Sequence, residues 1–461
     1  MKYGAKRRVY PLVGYNPEIV SVTFGKCSRS PEPFDQIIQE LDADKSRKFH
    51  EKWIIGYGHK SVAEHAVLSM AFENISILAT KFLEDNRLAS YTEKSTRYQK
   101  FDRNRYYKPK VLMENDLGKL YEQAVDFYFE SYNEIVKKMY TFIENKYPQE
   151  KGMDDKLYAS RTRNKVFDSC RYLLPIATQT NMGMTVNARQ LDYAVTKMLS
   201  QPLGELQEIA EEIRKATIKT IPTLIKFAAK DDFIVDTTQD LSLLSHKILG
   251  KIDPKKAEST TLVKYDEDAE EKVLTSLIYK YSSLPYSQIR SQVKKMSNKE
   301  KEKIIDTAVS KIQRKDQAPR EFEHTFYTFD ILMDYGAFRD IQRHRMATQT
   351  NQLATTEHGY STPEEIVEAG LKNEYEEVME RADKTYKKIA KKFPMEAQYC
   401  VPLGYKKRTL ITMNLREVYH FVKLRTGPAG HISYRRIAQE VYKKVKEVHP
   451  LLAKNIIVNL D

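Results

Sequence analysis

The sequence predicts an α+β protein built as two tandem repeats. Three observations carry this. Strand-like segments rich in β-branched and aromatic residues alternate with long amphipathic helices. One order of short motifs occurs twice along the chain. A polar stretch separates the two occurrences. With 461 residues the chain can bury two or three separate cores. Its 41% hydrophobic and 30% charged composition is that of an ordinary soluble globular protein.

In order, Tyr15 to Phe24 reads as a strand following a turn signal, and Pro33 to Leu41 as a helix. Glu64-His65 opens an apolar run that ends near Arg87-Leu88-Ala89-Ser90. Residues 113–147 form a long amphipathic helix, with Leu117, Leu120, Tyr121, Ala124, Phe127, Tyr128 and Tyr132 at helical spacing. Leu174-Pro175 breaks the chain before helices near Val186–Leu199 and from Leu203. The main linker falls within the polar residues 230–262, giving domains at 1–235 and 259–461 joined by 236–258. The pattern then restarts, with a strand at Thr260–Tyr265, helices to about Gln313, and an aromatic run from Phe326 to Leu332. Arg343-His344-Arg345, a charged helix from Pro363 to Lys392, a break at Val401-Pro402 and a final pair of helices complete the chain.

The repeat is internally checkable. Glu323-His324 opens a run ending at Arg345, as Glu64-His65 does at Arg87. Pro175 to Asn187 and Pro402 to Asn414 are both twelve residues.

Composition excludes several classes. No apolar run approaches twenty residues, so no membrane span is expected, and the basic N-terminus lacks the apolar core of a secretory signal. Cys27, Cys170 and Cys400 are isolated, which argues for a reducing, cytoplasmic setting and against a disulfide framework or zinc site. The formal charge of +13 suits phosphorylated small molecules as well as nucleic acid, but no nucleic-acid motif is present. Neither a Walker A nor a GxGxxG sequence occurs. Arg343-His344-Arg345 concentrates donors and positive charge suited to an anionic or carbonyl-rich ligand. Taken alone, Asn187 and Asn414 read as helix N-caps, His65 and His324 as core histidines, and Glu93–Arg97 as a local ion pair.

The motifs together resemble the flavin-dependent thymidylate synthases, whose signature is close to RHRxxSxNExSxRY, preceded by GHxxxxEH and followed by LP, NAR and a terminal Leu-Arg. Gly58-His59 through Glu64-His65 matches the first element, Ser90 through Tyr98 the back of the signature, and Asn187-Ala188-Arg189 the NAR. In the second half, Arg343-His344-Arg345 matches the front of the signature, Asn414-Leu415-Arg416 the NAR, and Leu424-Arg425 the last element. The losses are largely complementary. The RHR positions read Asp85-Asn86-Arg87 in the first half, and Leu-Arg reads Lys197-Met198. In the second half SxRY reads Leu353-Ala354-Thr355-Thr356, the signature glutamate is Asn351, and the arginine kept as Arg171 is Gln398. A glutamine three residues before RHR is Phe82 in one half and Asp340 in the other.

The resemblance implies domains with a mainly antiparallel sheet flanked by long helices, and reductive methylation of dUMP to dTMP. Methylenetetrahydrofolate would give the carbon, and FAD reduced by NADPH the hydride. Carried over by motif, Glu93, Ser95, Arg97, Tyr98, Arg171 and Arg425 would bind dUMP. Arg425 would also be catalytic, stabilising a uracil deprotonated at N3. Ser61, Asn187, Arg189, Arg343, His344, Arg345, Asn414, Arg416 and His420 would contact FAD, and no metal is implied. Family members resemble homotetramers with sites at subunit interfaces, so this chain is expected to form a homodimer acting as a pseudo-tetramer. Its site would combine the substrate loop of one half with the arginines of the other. The alternative readings are a degenerate FAD- or nucleotide-binding paralogue with different or no methyl transfer, and a basic scaffold.

Overall fold

The computed structural model describes residues 7–52, 60–250, 252 and 258–461. Gly58 and His59 of the GHxxxxEH segment lie outside them. In the first half the main elements are α1 (Pro17–Cys27), β1 (Val67–Ser76), α2 (Ile77–Glu84), β2 (Ala89–Glu93), α3 (Asp116–Lys146), α4 (Asp155–Cys170), β3 (Gln179–Asn187), α5 (Ala188–Leu199) and α6 (Gly204–Thr217). Helix α7 (Asp232–Leu249) follows. The second half has β4 (Thr260–Tyr265), α8 (Ala269–Tyr279), β5 (Phe326–Asp334), α9 (Tyr335–Ile341), β6 (Thr348–Asn351), α10 (Lys372–Ala390), β7 (Lys406–Asn414), α11 (Leu415–Arg425) and α12 (Ile432–Val448). Further helices lie between them.

The two sheets share one plan, as a duplication requires. One has the order β1-β3-β2, and the other β4-β5-β7-β6, which is the same plan with β4 added at an edge. The register agrees as well: Ser90 lies opposite Thr185, and Thr348, at the equivalent signature position, lies opposite Thr412. The recorded β2–β3, β4–β5, β5–β7 and β6–β7 pairings are antiparallel. The mixed helix-and-antiparallel-sheet architecture expected from the motifs is therefore present.

Compaction does not follow the 1–235 and 259–461 boundaries. One unit comprises 1–75, 82–94 and 179–252; the other comprises 76–81, 95–178 and 253–461. The second unit thus gathers part of the first half around the second. Within it, Ile176 N–H donates to the Val401 carbonyl and Leu403 N–H to that of Leu174, both at 2.9 Å. Ala177 N–H donates to Tyr399 and Gly404 N–H to Tyr172 at 3.0 and 2.9 Å. The two Leu/Val-Pro segments therefore pair about a local twofold axis, each giving the other the same bonds. Gly404 is required at this crossing: a Cβ there would come within 2.6 Å of the Tyr375 hydroxyl. Helix α3 buries Tyr121, Tyr128, Tyr132 and Met139 and packs against α10, which buries Tyr375, Val378, Met379 and Ala382. The dispersion and apolar burial of those aromatics hold the two helices together.

Several local expectations are corrected. Tyr15–Phe24 is not a strand. Asn16 accepts a hydrogen bond from Glu18 N–H at 2.8 Å and Pro17 takes the first helical position, so a strong N-terminal cap overrides β-branched propensity and starts α1. Within the segment 236–258, residues 236–249 are helical as part of α7. The charged helix predicted over 363–392 breaks at Gly370, whose φ of +70° a residue with a Cβ adopts only under strain. His65 and His324 are exposed at the ends of short 3₁₀ segments rather than buried in the core. His65 packs at a tilt against Phe24, with ring centroids 4.8 Å apart.

Lys407 on β7 is 2% exposed, with its ammonium 4.0 Å above the Phe338 ring. Burial, reinforced by Lys81, pushes this ammonium well below its ordinary value. A depressed lysine pKa penalises the charged fold below that value, and the penalty fades as pH rises toward the unfolded value. Lys407→Met is therefore expected to raise stability at neutral pH by about 1 kcal/mol or more. The gain over wild type should shrink steadily in alkaline denaturant titrations. A variant less stable at pH 7, or a gain independent of pH, would contradict this.

Candidate functional site

The second unit brings together residues from both halves. Arg97, in the loop after β2, donates through Nε and Nη2 to the two carboxylate oxygens of Asp168 at 2.7 Å each, a bidentate pair. Its Nη1 lies 3.3 Å from the Tyr434 hydroxyl and its Nη2 3.4 Å from the Ala429 carbonyl. Asp168 is in the last turn of α4, and Arg171 follows in the adjoining 3₁₀ turn, so one helix end supplies both. Arg171 is 2% exposed. Its Nε is 3.8 Å from Asp168 and its Nη1 4.0 Å from Asp340, and both its Nε and Nη2 are buried without a hydrogen-bond acceptor. A buried guanidinium with orphaned donors is costly unless a ligand completes it.

From the second half, Arg425 at the end of α11 lies 3.7 Å from the Asp340 carboxylate and also donates to the Asp340 backbone carbonyl. Its guanidinium carbon is 5.4 Å from the Tyr434 ring centroid, so Tyr434 touches both Arg97 and Arg425. Arg425 Nε donates to His344 Nε2 at 2.9 Å. Because that nitrogen must accept, the imidazole proton sits on Nδ1 and points to Glu417, 2.6 Å away. Burial and the Arg425 charge push His344 well below the usual histidine value, while burial pushes the Glu417 carboxyl up to about 7. The contact is a hydrogen bond from a neutral imidazole, not an imidazolium–carboxylate ion pair. His431, capping α12, accepts from Ser433 N–H at Nδ1, and its Nε2 lies 4.0 Å from Asp168. Burial, then Arg171, push its imidazole down to about 3, so it too is neutral. Burial would raise Asp168, but Arg171 and Arg97 outweigh it and hold the carboxyl below its ordinary value.

Arg97, Arg171 and Arg425 face two carboxylates, Asp168 and Asp340, which leaves one positive charge in excess. Arg339, 8% exposed, lies beside them and donates to Thr96 at 3.1 Å. A small anion would be drawn to this cluster and would complete the Arg171 donors.

The remaining sequence-named residues divide. Ser95 shapes the substrate loop by accepting from Arg97 N–H at 3.1 Å, and Tyr98 is exposed beside Arg97. The expected Glu93–Arg97 pair is replaced by Arg97–Asp168, because the helix end of α4 offers a bidentate acceptor. Arg343 and Arg345 are exposed on either side of buried His344, and His420 is exposed with its ring 5.5 Å from that of His344. Asn414 caps α11 by accepting from Glu417 N–H, and Asn187 caps α5 by accepting from Gln190 N–H, both at 2.8 Å. Arg416 is held by Glu323 at 2.7 Å and by the Ala318 carbonyl at 2.8 Å. In the other unit, Arg189 is held by the equivalent Glu64 at 2.5 Å, Ser61 is exposed, and Glu93 is buried at the end of β2.

The positions where motifs were lost have become structural. In the first unit Asp85 pairs with Lys197 at 3.4 Å, and Asn86 accepts from Gln190 at 3.2 Å. Those are the places of Arg343, Leu424, His344 and Glu417 in the other half. Gln398, standing where the first half has Arg171, accepts from Ala354 N–H and donates to Met395 carbonyl, both at 3.1 Å. Sequence reading missed Asp168, His431, Tyr434, Glu417 and Arg339 as members of the cluster. Only Asp168 left a signal, its i, i+3 spacing to Arg171 on a helix. Among the described residues no group of His, Cys, Asp and Glu is placed to hold a metal, and no helix is long and apolar enough to cross a membrane.

A duplicated α+β fold with buried arginines gathered from both halves has the chemistry of a receptor for a small anionic ligand. The chain belongs to the thymidylate synthase complementing protein family, whose model matches residues 12–223 and 261–451. It is 34% identical over 427 residues to a UPF0159 protein of Chlamydia pneumoniae, covering 89% of this chain and 80% of that one. It is 29% identical over 215 residues to the flavin-dependent thymidylate synthase of Clostridium tetani, covering 46% of this chain and 82% of the relative. The crystal structure of the Helicobacter pylori flavin-dependent thymidylate synthase, complexed with FAD and dUMP, covers 43% of this chain and 100% of its own at 17% identity and a TM-score of 0.33. That structural likeness is too slight to bear on function.

Proposed function

We propose that this protein is a flavin-dependent thymidylate synthase with one composite dUMP site drawn from both halves. The observation that carries the reading is Arg171, buried with two orphaned donors beside Arg97 and Arg425, in a chain whose half-length relatives are named for that activity. Arg171 and Arg97 bind the phosphate, with Ser95 holding the loop, and Tyr98 and Glu93 belonging to the same substrate segment. Arg425, oriented by His344 and Asp340, places a fixed cation against the uracil and stabilises it when N3 loses its proton. Exposed Arg343 and Arg345 supply charge and donors fit for the phosphates and ring edge of FAD, with His420, Asn414, Arg416, Ser61, Asn187 and Arg189 as further contacts. Bound flavin, reduced by NADPH, would supply the hydride, and methylenetetrahydrofolate the carbon. The protein's own share is orientation and charge. On this reading the two halves of one chain stand in for two subunits, and two chains make a pseudo-tetramer. The setting is cytoplasmic.

Purified protein should be yellow and release tritium from dUMP labelled at carbon 5 when given methylenetetrahydrofolate and NADPH. Flavin without tritium release would instead support the degenerate binding paralogue. That second reading draws on Asp340, a carboxylate where the family carries glutamine, and on UPF0159 relatives named for no activity. Arg343→Ala and Arg345→Ala should each lower flavin content several-fold. Unchanged flavin in both variants would remove the triplet from the cofactor site.

A further inference from the structure

Helix α7 has none of its residues buried, yet it is strongly apolar along one side. Ile234, Leu241, Leu244 and Ile248 recur at spacings of seven, three and four, with Thr237 completing the series. Leu241, Leu244 and Ile248 are 60%, 51% and 62% exposed, and Phe233 borders the stripe at 76%. Leu243 falls on the opposite side by helical spacing. An eighteen-residue helix with no packed face is only marginally stable in water, and so continuous an apolar stripe marks a contact surface.

The charge pattern identifies what covers it. The N-terminal half carries Asp232, Asp236 and Asp240, and the C-terminal half His246 and Lys247. A helix acidic at one end and basic at the other complements a second copy of itself running the opposite way. Asp240 and Lys247 are seven residues apart and flank the stripe on one side. In an antiparallel pair whose register sets Leu241 against the partner's Leu244, Asp240 lies beside the partner's Lys247, and Lys247 beside the partner's Asp240. Parallel pairing would set like charges level with each other along the whole helix. A twofold contact of this kind is isologous and closes on itself.

We infer that α7 is a clasp through which two copies of this chain pair antiparallel. This rests on the homodimer in the proposed assembly, though not on its chemistry. At about 27 Å long, the helix pair is smaller than a standard interface, so it reinforces a dimer made by further surface. Sedimentation equilibrium on the full-length protein tests it. Leu241→Glu combined with Leu244→Glu should weaken self-association at least about tenfold, with the helical circular-dichroism signal of the rest of the chain retained. D240K alone and K247D alone should each weaken it, and the D240K/K247D double variant should restore it, since both variant surfaces remain polar and foldable. A wild-type dimer insensitive to the leucine changes overturns the clasp and leaves the dimer standing. Single swaps without effect, or a double variant no better than either, overturn the antiparallel pairing. A wild type monomeric at tens of micromolar overturns both clasp and dimer.

Discussion

Arg171→Met is expected to lower dUMP affinity by about 100-fold while leaving the protein at least as stable as wild type. The guanidinium is 2% exposed, and two of its nitrogens have no acceptor. Hydrogen bonds to a charged group contribute about 1.5–3 kcal/mol each, and about 1.4 kcal/mol is tenfold in affinity, so two such bonds to a phosphate account for the loss. In the absence of ligand, methionine fills similar volume and removes an incompletely satisfied buried charge, which offsets what Asp168 loses. Calorimetric titration with dUMP and a thermal melt measure the two halves of this result. An affinity within about threefold of wild type would take Arg171 out of the phosphate site. A melting point several degrees lower would mean that its weak contacts to Asp168 and Asp340 outweigh its desolvation.

Asp168→Ala should act in the opposite sense and destabilise the fold by about 3 kcal/mol, because it strips the bidentate acceptor from Arg97 and leaves Arg171 without its nearest counter-charge. The pH dependence checks the cause. Asp168 has a folded pKa held below its unfolded value, so its contribution is present above the ordinary aspartate range and is lost as pH falls through the folded value. The difference between wild type and variant should therefore be full at neutral pH and close in acid. His431, pushed down to about 3, adds a separate loss. The unfolded chain takes up its proton below about 6.5 while the fold does not until near 3, so stability also declines across that interval. Urea unfolding at several pH values measures both. A wild-type–variant gap that stays unchanged however far the pH falls would show that Asp168 acts through packing rather than charge.

The consequences for the proposed chemistry are ordered. Arg97 is preorganised by Asp168, and Arg425 by His344, Asp340 and Tyr434, so neither must be immobilised when substrate arrives. The same contacts explain why loss of signature residues was tolerated. Where a half has lost a signature residue, the substituted side chain has entered an internal hydrogen bond, as Gln398 and Asn86 do, and no orphaned charge is left behind.

Much of this protein was legible in its residues. The duplication, the Pro-to-Asn spacing, the long α3 stripe and the caps at Asn187 and Asn414 follow from local rules of periodicity and capping, which act over a few residues and leave their marks in order along the chain. The division of the signature between Arg97 and Arg343-His344-Arg345 was equally visible as motif. The sequence misled where one local signal competed with another, as when the Asn16-Pro17 cap prevailed over the β-branched residues behind it. What only the tertiary structure decided is which residues meet. Asp168 and Tyr434 lie 71 and 337 residues from Arg97, His431 lies 263 from Asp168, and Glu417 lies 73 from His344. No periodicity encodes a contact across such separations. It arises because the two Pro segments pair about their shared axis, and the apolar burial of α3 against α10 in the same unit holds part of the first half within the core of the second.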